Sequence, residues 1–369
     1  MKVLEVNVDD IGMGGVFSLV RSIIKNKPEG VVVDIAAIEP FENPDNLSEL
    51  ASFGCTVHYV GRSGSKLLKQ FYVFRNVRRL VSQGGYDVVH VHSDVSNKLI
   101  VSALAAKMAG CRKILLHSHA SGVDGDRRAF KKLCHYACRR LLKRVGTGFL
   151  TCSDLAARWM FPNIKASDVV MIKNGINLDS FRFSEARRKE VRQQLGVSGE
   201  LLVGHVGRFA YQKNHEFLID AFKELHVMEP SAKLLLVGEG PLLGQIRAKV
   251  DEQGLSGSVI FYGVSRTVYD LFQAMDVFAL PSHFEGLPIV GVEAQAAGLP
   301  CVMSDQISRE TNVAGASKFL PISPGSETRW AKAILSAKVD DRTSAADVMR
   351  REGFSISDTV ARLWQAYSK

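Results

Sequence analysis

Asp276-Val277-Phe278-Ala279-Leu280-Pro281-Ser282-His283-Phe284-Glu285-Gly286-Leu287-Pro288-Ile289-Val290-Gly291-Val292-Glu293-Ala294-Gln295-Ala296 reads as a strand, a loop and a helix in succession. Residues 276–280 form a short apolar run of the kind buried on both faces of a parallel sheet. Pro288 suits a first helical turn, where a missing N–H costs nothing, so the spacing predicts a helix beginning around Gly286 to Pro288. The same rhythm recurs outward through the second half, with apolar runs at residues 201–206, 233–237, 259–262 and 300–303, and through the first half at residues 3–6, 31–35, 56–60, 87–91, 113–116 and 148–151. Short strands alternating with helical patterns predict an α/β fold of two doubly wound, Rossmann-like domains facing across a cleft.

The length agrees, since 369 residues suggest about two domains of roughly 150 each. We place an N-terminal domain at 1–172, a linker at 173–199, a C-terminal domain at 200–354 and a closing helix at 355–369. That helix carries Val360, Leu363, Trp364 and Tyr367 on one side and needs an apolar partner, expected on the N-terminal domain. A hydrophobic fraction of 46% and a charged fraction of 23% exclude a disordered or collagen-like chain. No apolar run approaches the roughly 18 residues that cross a bilayer, and residues 1–6 do not open a secretory leader, so a cytoplasmic protein is expected. Six cysteines are too sparse for a secreted disulfide framework.

In open α/β sheets ligands bind beyond the C-terminal ends of the strands, so the chemistry belongs in the loops. The helix after residue 285 would offer the N–H groups of Leu287, Ile289 and Val290, and such an end behaves like about half a positive charge. Glu285 precedes it and Glu293 follows two turns later, so two carboxylates flank the anion position and can accept from hydroxyls on either side. Two glutamates eight apart are common on any helix, and context decides. Gly207-Arg208-Phe209-Ala210-Tyr211-Gln212-Lys213-Asn214 follows the first strand of the second domain. It brings Arg208 and Lys213 to the same sheet edge, where each charge-assisted bond to a phosphate contributes about 1.5–3 kcal/mol.

From residue 173 to 305 the chain resembles the nucleotide-sugar-binding half of family 4 retaining glycosyltransferases of GT-B architecture. The likeness rests on Gly207-Arg208 with Lys213, Val237-Gly238-Glu239-Gly240-Pro241-Leu242, Phe261-Tyr262-Gly263, residues 281–288 and Glu293-Ala294. It implies that Arg208 and Lys213 bind the donor diphosphate, Glu285 the donor sugar and Glu293 the ribose. It also implies that Tyr262, Gly263 and Val264 meet the base through their main chain. Transfer on the front face, the departing phosphate oxygen taking the acceptor proton, comes with the resemblance; action without a metal cofactor is expected because the protein's own cations do a metal's work. The implied activity is hexosyl transfer in bacterial surface-polysaccharide assembly.

The first domain is less explicit. Gly12-Met13-Gly14-Gly15-Val16 follows the first strand, but Phe17 breaks the dinucleotide fingerprint. The resemblance places Gly14 or Gly15 near the donor, and a simple tight turn is the alternative. His90/His92 and His117/His119 are His-x-His pairs at strand ends, where alternate residues share a face and could chelate a metal, with Asp94 the carboxylate in view. The resemblance instead makes His119 a donor-sugar contact. Asp124-Gly125-Asp126 matches a metal motif of a different glycosyltransferase fold and reads as incidental. Cys134 and Cys138 lack a second cysteine pair to complete a zinc set.

Charge is uneven. Residues 1–170 carry 24 Lys/Arg against 15 Asp/Glu, and residues 171–369 carry 23 of each. Residues 62–79 (Arg62 to Arg79) hold six basic side chains and residues 127–144 (Arg127 to Arg144) eight, neither with an acidic one. The second stretch adds Phe130, Leu133, Tyr136, Leu141 and Leu142 and could lie on an anionic membrane, giving a peripheral protein. Nothing resembles a base-reading nucleic-acid module. The expectation is therefore a glycosyltransferase taking a UDP-sugar to a hydroxyl of a glycan or lipid-linked acceptor. The rivals are a nucleotide-sugar epimerase or hydrolase on the same fold, and a basic peripheral membrane protein with a vestigial donor site.

Overall fold

The computed structural model describes residues 1–10, 15–62 and 64–368, and they form two compact units, Met1–Lys173 with Ser357–Lys369, and Asn174–Ile356. Gly14, with Gly12 and Met13, lies outside the described residues.

The first unit is built on β1 (Lys2–Val6), β2 (Val32–Ala37), β3 (Val57–Tyr59), β4 (Val88–Ser93), β5 (Lys113–Ser118), β6 (Gly148–Thr151) and β7 (Val169–Met171). All pair in parallel in the order β3-β2-β1-β4-β5-β6-β7. Apolar residues on both faces explain the choice of strand, since Leu4, Val89 and Ile114 on one face and Val3, Val88 and Leu115 on the other are all buried. The buried polar residues on the three central strands are Glu5, His90, His92, His117 and Ser118. The helix Ile356–Ser368 belongs to this unit. It buries Val360, Leu363 and Tyr367, and Lys113 Nζ donates to its Tyr367 carbonyl at 2.7 Å.

The second unit holds β8 (Leu202–Val206), β9 (Lys233–Val237), β10 (Val259–Gly263), β11 (Val277–Leu280), β12 (Cys301–Ser304) and β13 (Ser317–Leu320) in the parallel order β10-β9-β8-β11-β12-β13. In each sheet the order reverses once, between β1 and β4 and between β8 and β11, so the loops leaving those neighbours diverge and open a crevice.

Two expectations need correction. Residues 174–199 are part of the second unit rather than a linker. The helix Glu185–Gln194 is polar because its guanidinium groups do structural work. Arg188 and Arg192 donate to the carbonyls of Gln273, Ala274 and Met275 and to Asp276, satisfying the end of the helix Val268–Ala274. The other correction concerns the helix after β11. It runs Ile289–Ala296 with Pro288 at its N-cap, so the N–H of Leu287 lies outside the first turn.

Candidate functional site

The crevice of the second unit is made by the loops after β8 and β11. After β8 the chain passes Gly207 and Arg208 to buried Phe209, whose N–H donates to Glu239 O (2.9 Å) and whose carbonyl accepts from Leu242 (3.0 Å). A 3-10 turn, Tyr211–Lys213, follows and is reversed by Asn214 at φ 55°, a left-handed conformation that Asn tolerates. The β11 loop meets this turn directly. His283 N–H donates to Gln212 O at 2.8 Å, and the His283 ring stacks on Tyr211 with centroids 4.2 Å apart. Gly238, after β9, lets its loop pack against the β8 loop, for a side chain there would lie 2.2 Å from Gly207 O.

Polar groups converge where the two loops touch. Lys213 Nζ sits 2.7 Å from Glu285 Oε1, which also accepts from Ser282 Oγ (3.1 Å), while Gln212 Nε2 donates to Glu285 Oε2 at 3.0 Å. Gly207 makes this possible, since a Cβ there would press on the Lys213 stem at 2.9 Å. Arg208 lies in the same loop, is exposed, and has no side-chain hydrogen bond or ion pair among the described residues. Ile289 and Val290, half-buried, occupy the first turn of the helix after Pro288, where N–H groups have no intrahelical acceptor.

Half-buried Glu293 lies one helical stretch further on. Desolvation pushes its carboxyl up to about 7, and the Lys213 charge offsets part of that rise. The folded chain therefore retains a proton that the unfolded chain releases near 4.5, so this group's contribution to stability falls as pH rises from about 4.5 to about 7. Glu293→Gln is expected to flatten that limb, making the variant more stable than the parent at about pH 8 in denaturant titrations and little different at about pH 4. An unchanged pH profile would assign the limb elsewhere.

At the other predicted positions, Tyr262 and Val264 are exposed at the end of β10, and Gly263, at φ 83°, accepts from Gly238 N–H through its carbonyl at 2.8 Å. Leu287 is buried, its carbonyl accepting from Asn174 Nδ2 at 2.8 Å, and Pro288 is buried beside it. Gly15 is the first residue of the helix Gly15–Lys25.

His119 belongs to the first unit, just past β5, and joins a buried polar cluster. Its Nε2 lies 2.9 Å from His92 Nδ1, and His92 Nε2 lies 2.7 Å from Glu5 Oε2. Tyr367 donates to Glu5 Oε1 at 2.7 Å and meets His90 Nδ1 at 2.7 Å, while His90 Nε2 meets His117 Nδ1 at 3.2 Å. Ligand atoms of His90, His92 and His117 all fall within 4.8 Å of one another, but the ring nitrogens of His90 and His92 are already matched to protein partners. The carboxylate beside them is Glu5 rather than Asp94, because β1 lies next to β4 in the sheet. A charged residue in the middle of the apolar run Lys2–Val6 was the signal for it. Gln212 and Ser282 also escaped notice, as uncharged residues between more conspicuous neighbours.

Two family models match the chain, "Glycosyltransferase Family 4" over residues 16–180 and "Glycosyl transferases group 1" over residues 187–353. The chain is 34% identical over 324 residues to EpsF of Bacillus subtilis, a protein that carries the name of a glycosyltransferase, covering 85% of this chain and 80% of that one. It is 25% identical over 248 residues to a UDP-Gal:α-D-GlcNAc-diphosphoundecaprenol α-1,3-galactosyltransferase of Escherichia coli, covering 65% and 63% of the two chains. Among solved structures, Anabaena Alr3699/HepE in complex with UDP-glucose shares the fold with a TM-score of 0.80 at 21% identity, over 100% of this chain and 99% of that one.

Proposed function

The chain belongs to the family 4 glycosyltransferases, of GT-B fold, and from that premise we propose that it is a retaining enzyme moving a hexose from a UDP-sugar to a hydroxyl of a glycan or lipid-linked acceptor. The observation that carries the reading is the Lys213–Glu285 pair at the β8/β11 reversal. It keeps a cation and a carboxylate where an open α/β sheet receives its ligand. Lys213 and Arg208 hold the diphosphate together with the N–H groups of Ile289 and Val290. Glu285 accepts from sugar hydroxyls, Glu293 from the ribose, and the main chain at Tyr262, Gly263 and Val264 faces the base. His119 contacts the donor sugar, and Gly15, at the start of the helix Gly15–Lys25, is assigned to the same sugar.

In the transfer the bond from the anomeric carbon to the diphosphate oxygen breaks and a bond to the acceptor oxygen forms. The acceptor proton passes to the departing phosphate. Charge building on that phosphate is met by Arg208, Lys213 and the helix start, preorganised donors that need no metal. The Escherichia coli relative supports UDP and a lipid-linked acceptor by its name, and a Salmonella typhi relative, 28% identical over 229 residues and named for Vi polysaccharide biosynthesis, supports polysaccharide assembly. The name of a Mycobacterium tuberculosis relative, 27% identical over 290 residues, specifies GDP-mannose instead, so the base needs a direct test.

A panel of UDP- and GDP-sugars, screened in EDTA for thermal stabilisation and transfer, provides it. A ligand at 100 times its dissociation constant adds about 2.7 kcal/mol to the folded state. One UDP-sugar is expected to stabilise the chain and to be consumed with EDTA present. Stabilisation by GDP-sugars alone would move the assignment to GDP, and activity restored only by added Mn²⁺ would overturn metal independence.

Peripheral membrane attachment, on the inner face of the cytoplasmic membrane, is part of the same proposal. No described helix is long and apolar enough to cross a membrane. The helix Arg128–Cys138 exposes Phe130 (64%) and Leu133 (65%), with Tyr136 and Leu141 also exposed beside Arg128, Lys132, Arg140, Lys143 and Arg144. Leu142, expected on that face, is fully buried. Phe71 is likewise exposed, near Arg75 and Arg78. Each basic residue near an anionic surface contributes about 1 kcal/mol. The chain is expected to sediment with phosphatidylserine vesicles at low salt, less with neutral ones, and less again for Phe130→Ser/Leu133→Ser. Pelleting insensitive to lipid charge and salt would remove the idea.

A further inference from the structure

We propose that the buried Glu5–His92 pair is a positioning device for His119, holding its ring as the Nε2–H tautomer and so leaving Nδ1 as a hydrogen-bond acceptor for a hydroxyl of the donor sugar. This rests on the sugar contact assigned to His119 above, but the tautomer itself follows from the hydrogen-bond chain within the first unit.

The chain has one fixed end. An ionised carboxylate only accepts, so at 2.7 Å from Glu5 Oε2 the His92 Nε2 must carry the hydrogen. Glu5 is ionised here. Burial acts to raise its carboxyl, but the His90 and His92 rings bonded to it outweigh that and bring it far below the usual range. His92 is neutral, because desolvation and the neighbouring His90 depress it to about 4 against the pull of Glu5. A neutral imidazole with its hydrogen on Nε2 has a lone pair on Nδ1. His119 Nε2, 2.9 Å from that lone pair, is then the donor. His119 is itself held neutral by desolvation, so its Nδ1 is left without a hydrogen. No described residue hydrogen-bonds that nitrogen, and the ring is half-buried rather than sealed.

The arrangement is anchored from three sides. Glu5 projects from β1, His92 from β4 next to it, and His119 follows β5, the next strand again. Tyr367, from the closing helix, donates to the other Glu5 oxygen at 2.7 Å, so the carboxylate cannot rotate away from His92 without losing that bond. The same groups do not make a metal centre as they stand, since the pairings that set the tautomer use both ring nitrogens of His92. A carboxylate behind a histidine orients a ring and selects its hydrogen-bearing nitrogen, a role that behind metal-bound histidines changes metal affinity or activity by about 10–100-fold.

The test uses the full chain labelled with ¹⁵N-histidine, its His119 signals assigned by loss in His119→Gln. Long-range proton–nitrogen correlation is expected to show Nε2 protonated and Nδ1 bare in the unliganded protein. Glu5→Gln, which can donate as well as accept, is expected to produce the other tautomer or a mixture. It should weaken UDP-glucose about tenfold while leaving UDP unchanged, because UDP lacks the sugar. A merely structural defect would weaken both. His119 found with its hydrogen on Nδ1 in the parent chain, a measurement that needs no variant to fold, would overturn the proposal, as would a tautomer indifferent to Glu5→Gln. If instead His119→Gln binds UDP-glucose as tightly as the parent, the sugar contact fails and the acceptor role for Nδ1 fails with it, while the tautomer result still decides the relay.

Discussion

Lys213→Ala is expected to lower turnover by about 10²–10³, the loss typical of one preorganised electrostatic donor in a water-poor site. The crevice makes Lys213 hard to replace. Its ammonium is fixed by Glu285 at 2.7 Å, its stem passes through space that only Gly207 leaves open, and its backbone is locked by the left-handed Asn214. The fixed cation is therefore in place before the leaving group develops charge. The substitution also leaves Glu285 buried without its cation, a cost of about 3–5 kcal/mol for a fully buried pair and less for these partly accessible groups. Lys213→Met combined with Glu285→Gln should recover most of that stability without recovering turnover, which separates folding from catalysis. A single-turnover rate undiminished in folded Lys213→Ala would refute the role.

The second large effect is expected at Gly238. At φ 135° its backbone occupies a region that L side chains rarely adopt, and an added Cβ would stand 2.2 Å from Gly207 O. Backbone cannot yield as a flexible side chain would, so Gly238→Ala must push the β9 loop off the β8 loop. A residue forced into such a conformation costs about 1–3 kcal/mol. The displaced partner is the segment bearing Arg208 and Lys213, so UDP affinity should fall with stability, by about tenfold or more at 1.4 kcal/mol per decade. Denaturant unfolding and calorimetric titration with UDP measure the two effects. Full retention of both would show that the close approach of these loops does not shape the site.

The central strands of both sheets were legible because each is a compact apolar run bounded by turn residues, as at residues 276–280 and 87–91. β7 and β13 were not. They are three and four residues long, stand at sheet edges and are only partly buried, so burial imposed no pattern on Val169–Met171 or Ser317–Leu320. The polar helix Glu185–Gln194 read as a linker because composition cannot distinguish arginines in water from arginines closing another helix's carbonyls. In the site, the charged residues Lys213 and Glu285 stood out and do meet. The contact between the turns that carry them, through Gln212 and His283, needed the adjacency of β8 and β11. Glu5 depended in the same way on β1 lying beside β4, and no local spacing encodes an encounter between residues 5 and 92.

The most direct test of the account is a crystal structure of the chain with UDP. The diphosphate is expected within hydrogen-bonding reach of Lys213 Nζ, the Arg208 guanidinium and the N–H groups of Ile289 and Val290, with the ribose against Glu293. UDP bound with its phosphates away from the β8 and β11 loops would contradict it.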